Sequence, residues 1–144
     1  MTYATQQDLI DRFGADELIQ LTDRLSVPPA AIDADVVARA LSDADALIDS
    51  YLRKRYALPL DPAPPVLVKI ASDLARYNLY DDGADKDGPV VRAQGSALAW
   101  LRDVSKGLIE LDDGTGDAPA ASGGGQVRAS YPDRVFTRDS LRGY

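Results

Sequence analysis

Within residues 33–55 the apolar side chains of Val37, Leu41, Ala44, Ile48, Tyr51 and Leu52 recur at steps of three and four. That spacing gathers them on one side of an α-helix. Val36, Ala40 and Leu47 widen the stripe. Asp33 precedes the first apolar residue, where a carboxylate caps free N–H groups. Arg53, Lys54 and Arg55 stand at the far end, where cations suit the helix dipole. Such a helix is about 33 Å long, and a stripe of that length must be covered. The rest of the chain is therefore read for helices able to cover it.

Two short segments come first. Thr5 can cap a helix ending at Phe13, with Asp8 three places on as in a capping box, and Leu9, Ile10 and Phe13 as its apolar face. Gly14 terminates it. Asp16 is read as the cap of a second helix, residues 17–23, with Leu18, Ile19 and Leu21 apolar. Val27, Pro28 and Pro29 break helical structure. After the long helix, residues 58–65 (LPLDPAPP) form a stiff connector whose last proline suits a helix's first turn. Residues 66–80 are predicted helical, with Leu67, Ile70, Ala71, Leu74 and Tyr77 facing the core. Pro89 opens a last helix running to Lys106, with Val90, Val91, Ala97, Leu98, Trp100, Leu101 and Val104 apolar and Gly107 as its stop. Leu108 to Leu111 alternates briefly and is read as a short strand or extended chain. The fold class is all-α: a small helical bundle with a long central helix.

Three parts follow along the chain. Residues 1–111 form the helical body. Residues 112–125 (DDGTGDAPAASGGG) have little to bury and read as a flexible Gly-rich linker. Residues 126–144 again carry apolar anchors and read as an extended C-terminal docking arm. The arm holds Arg128, Arg134, Arg138 and Arg142 against Asp133 and Asp139, a net of +2. Residues 1–125 hold 12 basic and 21 acidic side chains, a net of -9. Over all 144 residues the charge is -7, which argues against a generic nucleic-acid binder because phosphate neutralisation needs surplus cations.

Cysteine and histidine are both absent. This excludes disulfides, Cys or His zinc sites, thiol nucleophiles and any triad with a histidine base. Asp81, Asp82, Asp85 and Asp87 would suit a hard cation by ligand type, but they lack the closing bidentate Glu of a calcium loop and read as a solvated acidic loop. No nucleophile or phosphate-loop motif accompanies the carboxylates. The expectation is a non-enzyme with no catalytic residue, metal or cofactor. No apolar run reaches the about 18 residues that cross a bilayer, and the polar N-terminus is unlike a signal peptide, so a protein of the cytoplasm with no membrane partner is expected.

Two sets of residues are candidates for contact. Arg53, Lys54 and Arg55 could touch DNA phosphates or an acidic neighbour, but a solvated helix end suited to the dipole is the favoured reading. Arg128, Tyr131, Phe136, Arg138, Leu141, Arg142 and Tyr144 combine arginine with aromatic and aliphatic groups, the usual anchors of interfaces. Their segment is too short to bury them itself, so docking on another chain is favoured over folding back or disorder.

Several stretches are similar to a known family. Residues 3–14 (YATQQDLIDRFG), 48–60 (IDSYLRKRYALPL), 73–80 (DLARYNLY) and 134–144 (RVFTRDSLRGY) resemble, in order and spacing, the Mu-like prophage family of head–tail joining proteins. The resemblance implies a non-enzymatic structural protein of the virion neck, at the head–tail interface of a tailed phage or prophage, present in the host cytoplasm during assembly. It implies a helical connector, or adaptor, forming a homo-oligomeric ring of about twelve copies beneath the portal protein. That ring would extend the DNA channel and offer a platform to a stopper or tail-completion protein. Genome DNA would pass through its lumen without sequence-specific binding, and an acidic lumen would let it slide. The arm would then meet portal or a neighbouring subunit. A tail-terminator or tail-completion protein is the alternative, followed by a small DNA-binding regulator.

Overall fold

The computed structural model describes residues 2–111. They form five α-helices: α1 (Gln6–Phe13), α2 (Ala15–Thr22), α3 (Ala34–Leu52), α4 (Pro65–Tyr80) and α5 (Pro89–Lys106), with a 3-10 turn at Asp81–Gly83 between the last two. The all-α expectation holds for these residues. Helices α3, α4 and α5 pack against one another, and the short pair α1 and α2 rests on α4, with α1 also touching α3.

Local chemistry sets most of the boundaries. The Thr5 hydroxyl accepts the Asp8 N–H at 3.2 Å, and the Asp8 carboxylate accepts the Thr5 N–H at 2.7 Å, a reciprocal capping box. The Thr5 hydroxyl also donates to the Asp8 carboxylate at 2.7 Å, and this bond, with the one from the Thr5 N–H, holds the Asp8 carboxyl below its ordinary pKa. Asp33 caps α3 by accepting from the N–H groups of Asp35 and Val36. Pro65 and Pro89 each open a helix, where a missing N–H costs nothing.

Two boundaries differ from the sequence reading. Gly14 turns the chain in a single residue at φ 89° and is itself the N-cap of α2, so Asp16 lies in the first turn and not at the cap. There it still complements the positive end of the helix dipole. Helix α3 stops at Leu52 with Arg53 as its C-cap, so Arg53, Lys54 and Arg55 follow the helix instead of forming its last turn. At 19 residues α3 is about 28 Å long.

The core follows the stripe. Val37, Leu41, Ala44, Ile48 and Leu52 of α3 meet Leu67, Ile70, Ala71 and Leu74 of α4 and Ala97, Leu101 and Val104 of α5. Leu9 and Leu18 bring α1 and α2 into the same cluster. Tyr77, expected in the core, is half-buried, and Leu79 is buried on α4 instead. Trp100 and Tyr51 also pack at the edge of the cluster. An aromatic ring reaches core contact while its polar edge stays near water. Residues 108–111 form no strand, but Leu111 is buried. Its N–H donates to the Tyr56 hydroxyl at 3.1 Å.

Gly107 ends α5 at φ 82°, and its N–H donates to Val104 C=O. A Cβ there would fall on the Arg55 guanidinium. Backbone handedness and this contact act together, so Gly107→Ala should cost about 1–2 kcal/mol, read as a lower urea midpoint at unchanged slope.

Candidate functional site

The structure brings Arg55 and the C-terminal end of α5 together, a placement that sequence spacing did not show. Arg55 is half-buried against Gly107, and Tyr56 next to it holds Leu111. Arg53 and Lys54 are exposed on the same turn. A cation over the end of α5 faces that helix's carbonyl-rich pole. Arg55 thus stands beside the end of α5, with Arg53 and Lys54 on the turn before it. Arg128, Tyr131, Phe136, Arg138, Leu141, Arg142 and Tyr144, with the linker before them, lie outside the described residues.

A second feature is a groove of about 560 Å³ along the outer side of α3, walled by the first residues of the chain. Val37, Ala38, Leu41, Ser42 and Ala46 line it along α3, Thr2 and Gln6 stand at its rim, and Asp45 and Asp49 form its acidic end. Tyr3 builds that end. Its N–H donates to Asp45 Oδ1 at 3.0 Å and its hydroxyl donates to Asp49 Oδ1 at 2.5 Å. Burial raises the Asp45 pKa, against the lowering effect of the Tyr3 N–H bond. Burial also raises the Tyr3 pKa, reinforced by the bond to Asp49. Neither carboxylate was singled out from sequence, because Tyr3 and Asp45 are 42 residues apart.

The N-terminal pair of helices is pinned to α4 by one arginine. Arg76 Nε donates to Glu17 Oε1 at 2.6 Å and Nη2 donates to Oε2 at 2.9 Å, a two-pronged ion pair. The guanidinium carbon sits 4.4 Å from the Phe13 ring centre, and the Tyr80 hydroxyl donates to Glu17 at 3.1 Å. Burial and the neighbouring Glu17 raise the Tyr80 pKa.

A third feature is the loop of residues 23–33. The Asp23 carboxylate accepts N–H groups from Ser26 and Ala30, both at 3.0 Å, and from Ala31 at 3.4 Å. These bonds, Ala30 first and then Ser26, lower its pKa to about 2. An ordinary aspartate titrates near about 3.9. A depressed value means that the loop's support is complete above the ordinary pKa and is lost as pH falls toward 2. The amide resonances of Ser26, Ala30 and Ala31 should therefore titrate together with a midpoint near 2; a midpoint near 4 would show that the bonds do not persist in solution. The Asp-x-x-Ser spacing makes the Ser26 bond legible in sequence, but nothing local marks Ala30 or Ala31.

Among the described residues, no three acidic side chains gather as a metal site. No described helix is long and apolar enough to cross a membrane.

Known proteins place the chain. Residues 3–129 match the family model described as Bacteriophage Mu, Gp36. The chain is 32% identical over 143 residues to the Mu-like prophage FluMu protein gp36 of Haemophilus influenzae, covering 99% of this chain and 97% of that one. It is 31% identical over 140 residues to gene product J of Escherichia phage Mu, covering 96% of each. With its helical body and near end-to-end similarity to both relatives, the chain belongs to the Bacteriophage Mu Gp36 family of Mu-like phage proteins.

Proposed function

We propose that this Mu-like phage protein is a structural, non-enzymatic head–tail connector that assembles as a ring under the portal and joins head to tail. The observation that carries the reading is the similarity to two Mu-type phage proteins along almost the whole chain, arm included. The charge pattern supports it. A ring of bodies at -9 each would present DNA with a repelling lumen, and a net +2 arm is suited to docking on another chain. Repeating a modest contact around a ring gives avidity without a large interface per copy. Arg53, Lys54 and Arg55, in the turn after α3, then serve contact with the next subunit and are kept off the lumen.

Co-sedimentation with purified portal rings tests this reading, using the full chain and residues 1–125. Binding at fixed stoichiometry by the full chain, lost in the truncation, is expected. Equal binding by both forms would take the docking role from Arg128, Tyr131, Phe136, Arg138, Leu141, Arg142 and Tyr144. No binding by either would move the protein to the tail side of the neck, as a tail-completion protein.

A further inference from the structure

Leu25 and Val27 are the most exposed large apolar side chains among the described residues, at 95% and 98% of their full accessible surface. They stand at the tip of the 23–33 loop, and that loop is built from both ends. Asp23 gathers three N–H groups from across it. Thr22 closes its base, donating to Leu18 C=O at 2.7 Å while accepting the Asp33 N–H at 3.0 Å. Pro28 and Pro29 remove two more backbone freedoms. A loop held this way presents its two aliphatic groups with little entropy left to lose on binding.

The groove on α3 is the matching recess. Its lining mixes small apolar groups with polar ones, it is roomy enough for more than one aliphatic side chain, and neither Leu25 nor Val27 lines it. Its acidic end carries Asp45 and Asp49, whereas the loop carries the exposed Arg24 directly before Leu25. The aliphatic tip finds Ala38, Ala46 and Leu41 in the groove, and the cation finds carboxylates. Protrusion and recess are different surfaces of one chain, so the contact they make is head-to-tail. Such contacts close into rings when the rotation between copies permits.

We propose that the 23–33 loop of one copy seats in the α3 groove of the next, with Leu25 and Val27 against Ala38, Ser42 and Ala46 and Arg24 toward Asp45 and Asp49. This deepens the ring reading above and rests on it for closure; the contact itself needs no portal.

The absence of native cysteine makes the contact directly testable in the full-length protein. Leu25→Cys and Ser42→Cys are placed on separate chains, mixed at high concentration and oxidised; a disulfide requires Cα atoms within about 7 Å. The mixture should give a crosslinked dimer at least about tenfold above either variant alone. It should also exceed a mixture of Ser42→Cys with Leu108→Cys, whose site is 74% exposed and away from the loop. The chain with both Leu25→Cys and Ser42→Cys should give a ladder ending in a closed species. A yield equal to the Leu108→Cys control overturns the proposal. So does capture of Ser42→Cys by Phe136→Cys in preference to Leu25→Cys, which would give the groove to the C-terminal arm. Dominant pairing of Leu25→Cys with itself would mean a symmetric contact and also overturns it.

A second variant needs no chemistry. Leu25→Ser with Val27→Ser changes only exposed groups, so its circular dichroism should match the parent's. Its self-association by sedimentation velocity should weaken at least about tenfold, and unchanged association would sink the idea. Neither assay contains portal, so failure here leaves portal docking standing, and failure of portal docking leaves this contact standing.

Discussion

Ile48→Ala should remove about 2–5 kcal/mol of stability, the largest loss expected from a single substitution in this protein. Ile48 lies in the middle of α3 with no exposed surface, in the cluster where α3 meets α4 and α5. Truncation forfeits the burial of the removed carbons and leaves a cavity that three packed helices fill only in part. A domain of this size is typically stable by about 5–15 kcal/mol. The loss therefore takes a large share of the whole, and the melting temperature should fall by about 10 °C or more. Urea unfolding checks the result: the midpoint drops while the slope, set by the surface exposed on unfolding, stays the same. Ile48→Val should cost only about 0.5–1.5 kcal/mol. Similar losses for both variants would mean that the site is not close-packed. Val37 and Leu41 of the same stripe also line the α3 groove, so self-association should weaken along with stability.

Arg76→Ala is the second large effect, and it should act on one part of the molecule. Arg76 and Glu17 are 21% and 24% exposed, so their ion pair is only partly screened by solvent. The substitution removes both hydrogen bonds to Glu17 and the guanidinium over Phe13, and leaves Glu17 half-buried with Tyr80 as its remaining partner. Charge-assisted bonds and a ring contact of this kind together suggest a loss of about 2–3 kcal/mol. Hydrogen exchange should rise in α1 and α2 well before it rises in α3, α4 and α5, because Arg76 ties the N-terminal helices to α4. Arg76→Lys keeps the charge but not the two-pronged geometry, and should recover less than half of the loss. Uniform exchange through all five helices would show that α1 and α2 do not open separately. The rim of the α3 groove includes Thr5 and Gln6 at the start of α1, so this variant should also weaken self-association.

Much of the fold was legible because its causes are local. The stripe on α3, the Asp33 cap, the Thr5 and Asp8 box, the first-turn prolines at 65 and 89 and the stop at Gly107 all act within a few residues of themselves. Where the reading missed, a neighbour decided. Asp16 lost the cap because Gly14 turns the chain two residues earlier than a cap at Asp16 requires. Tyr77 gave its core place to Leu79 at the last turn of α4, where the packing of α5 and the Asp81 turn set which side is covered. Arg55 was read against the dipole of its own helix and lies instead over the end of α5.

The candidate surfaces were less legible for the same reason. Arginine and aromatic residues beyond a glycine-rich linker show in composition alone, and so does the cluster at 53–55. The α3 groove does not, since its acidic end depends on Tyr3 reaching Asp45 and Asp49 across 42 and 46 residues. Leu25 and Val27 looked like ordinary loop residues beside a helix-breaking proline pair, and only their near-complete exposure on a braced loop marks them. By itself the sequence determined the helices, most of their ends and the charge contrast between residues 1–125 and 126–144, because period, capping and charge are properties of neighbouring residues. The tertiary structure alone decided which side chains meet, from Arg76 with Glu17 to Tyr56 with Leu111, because packing joins groups 55 and more residues apart whose pairing leaves no local trace.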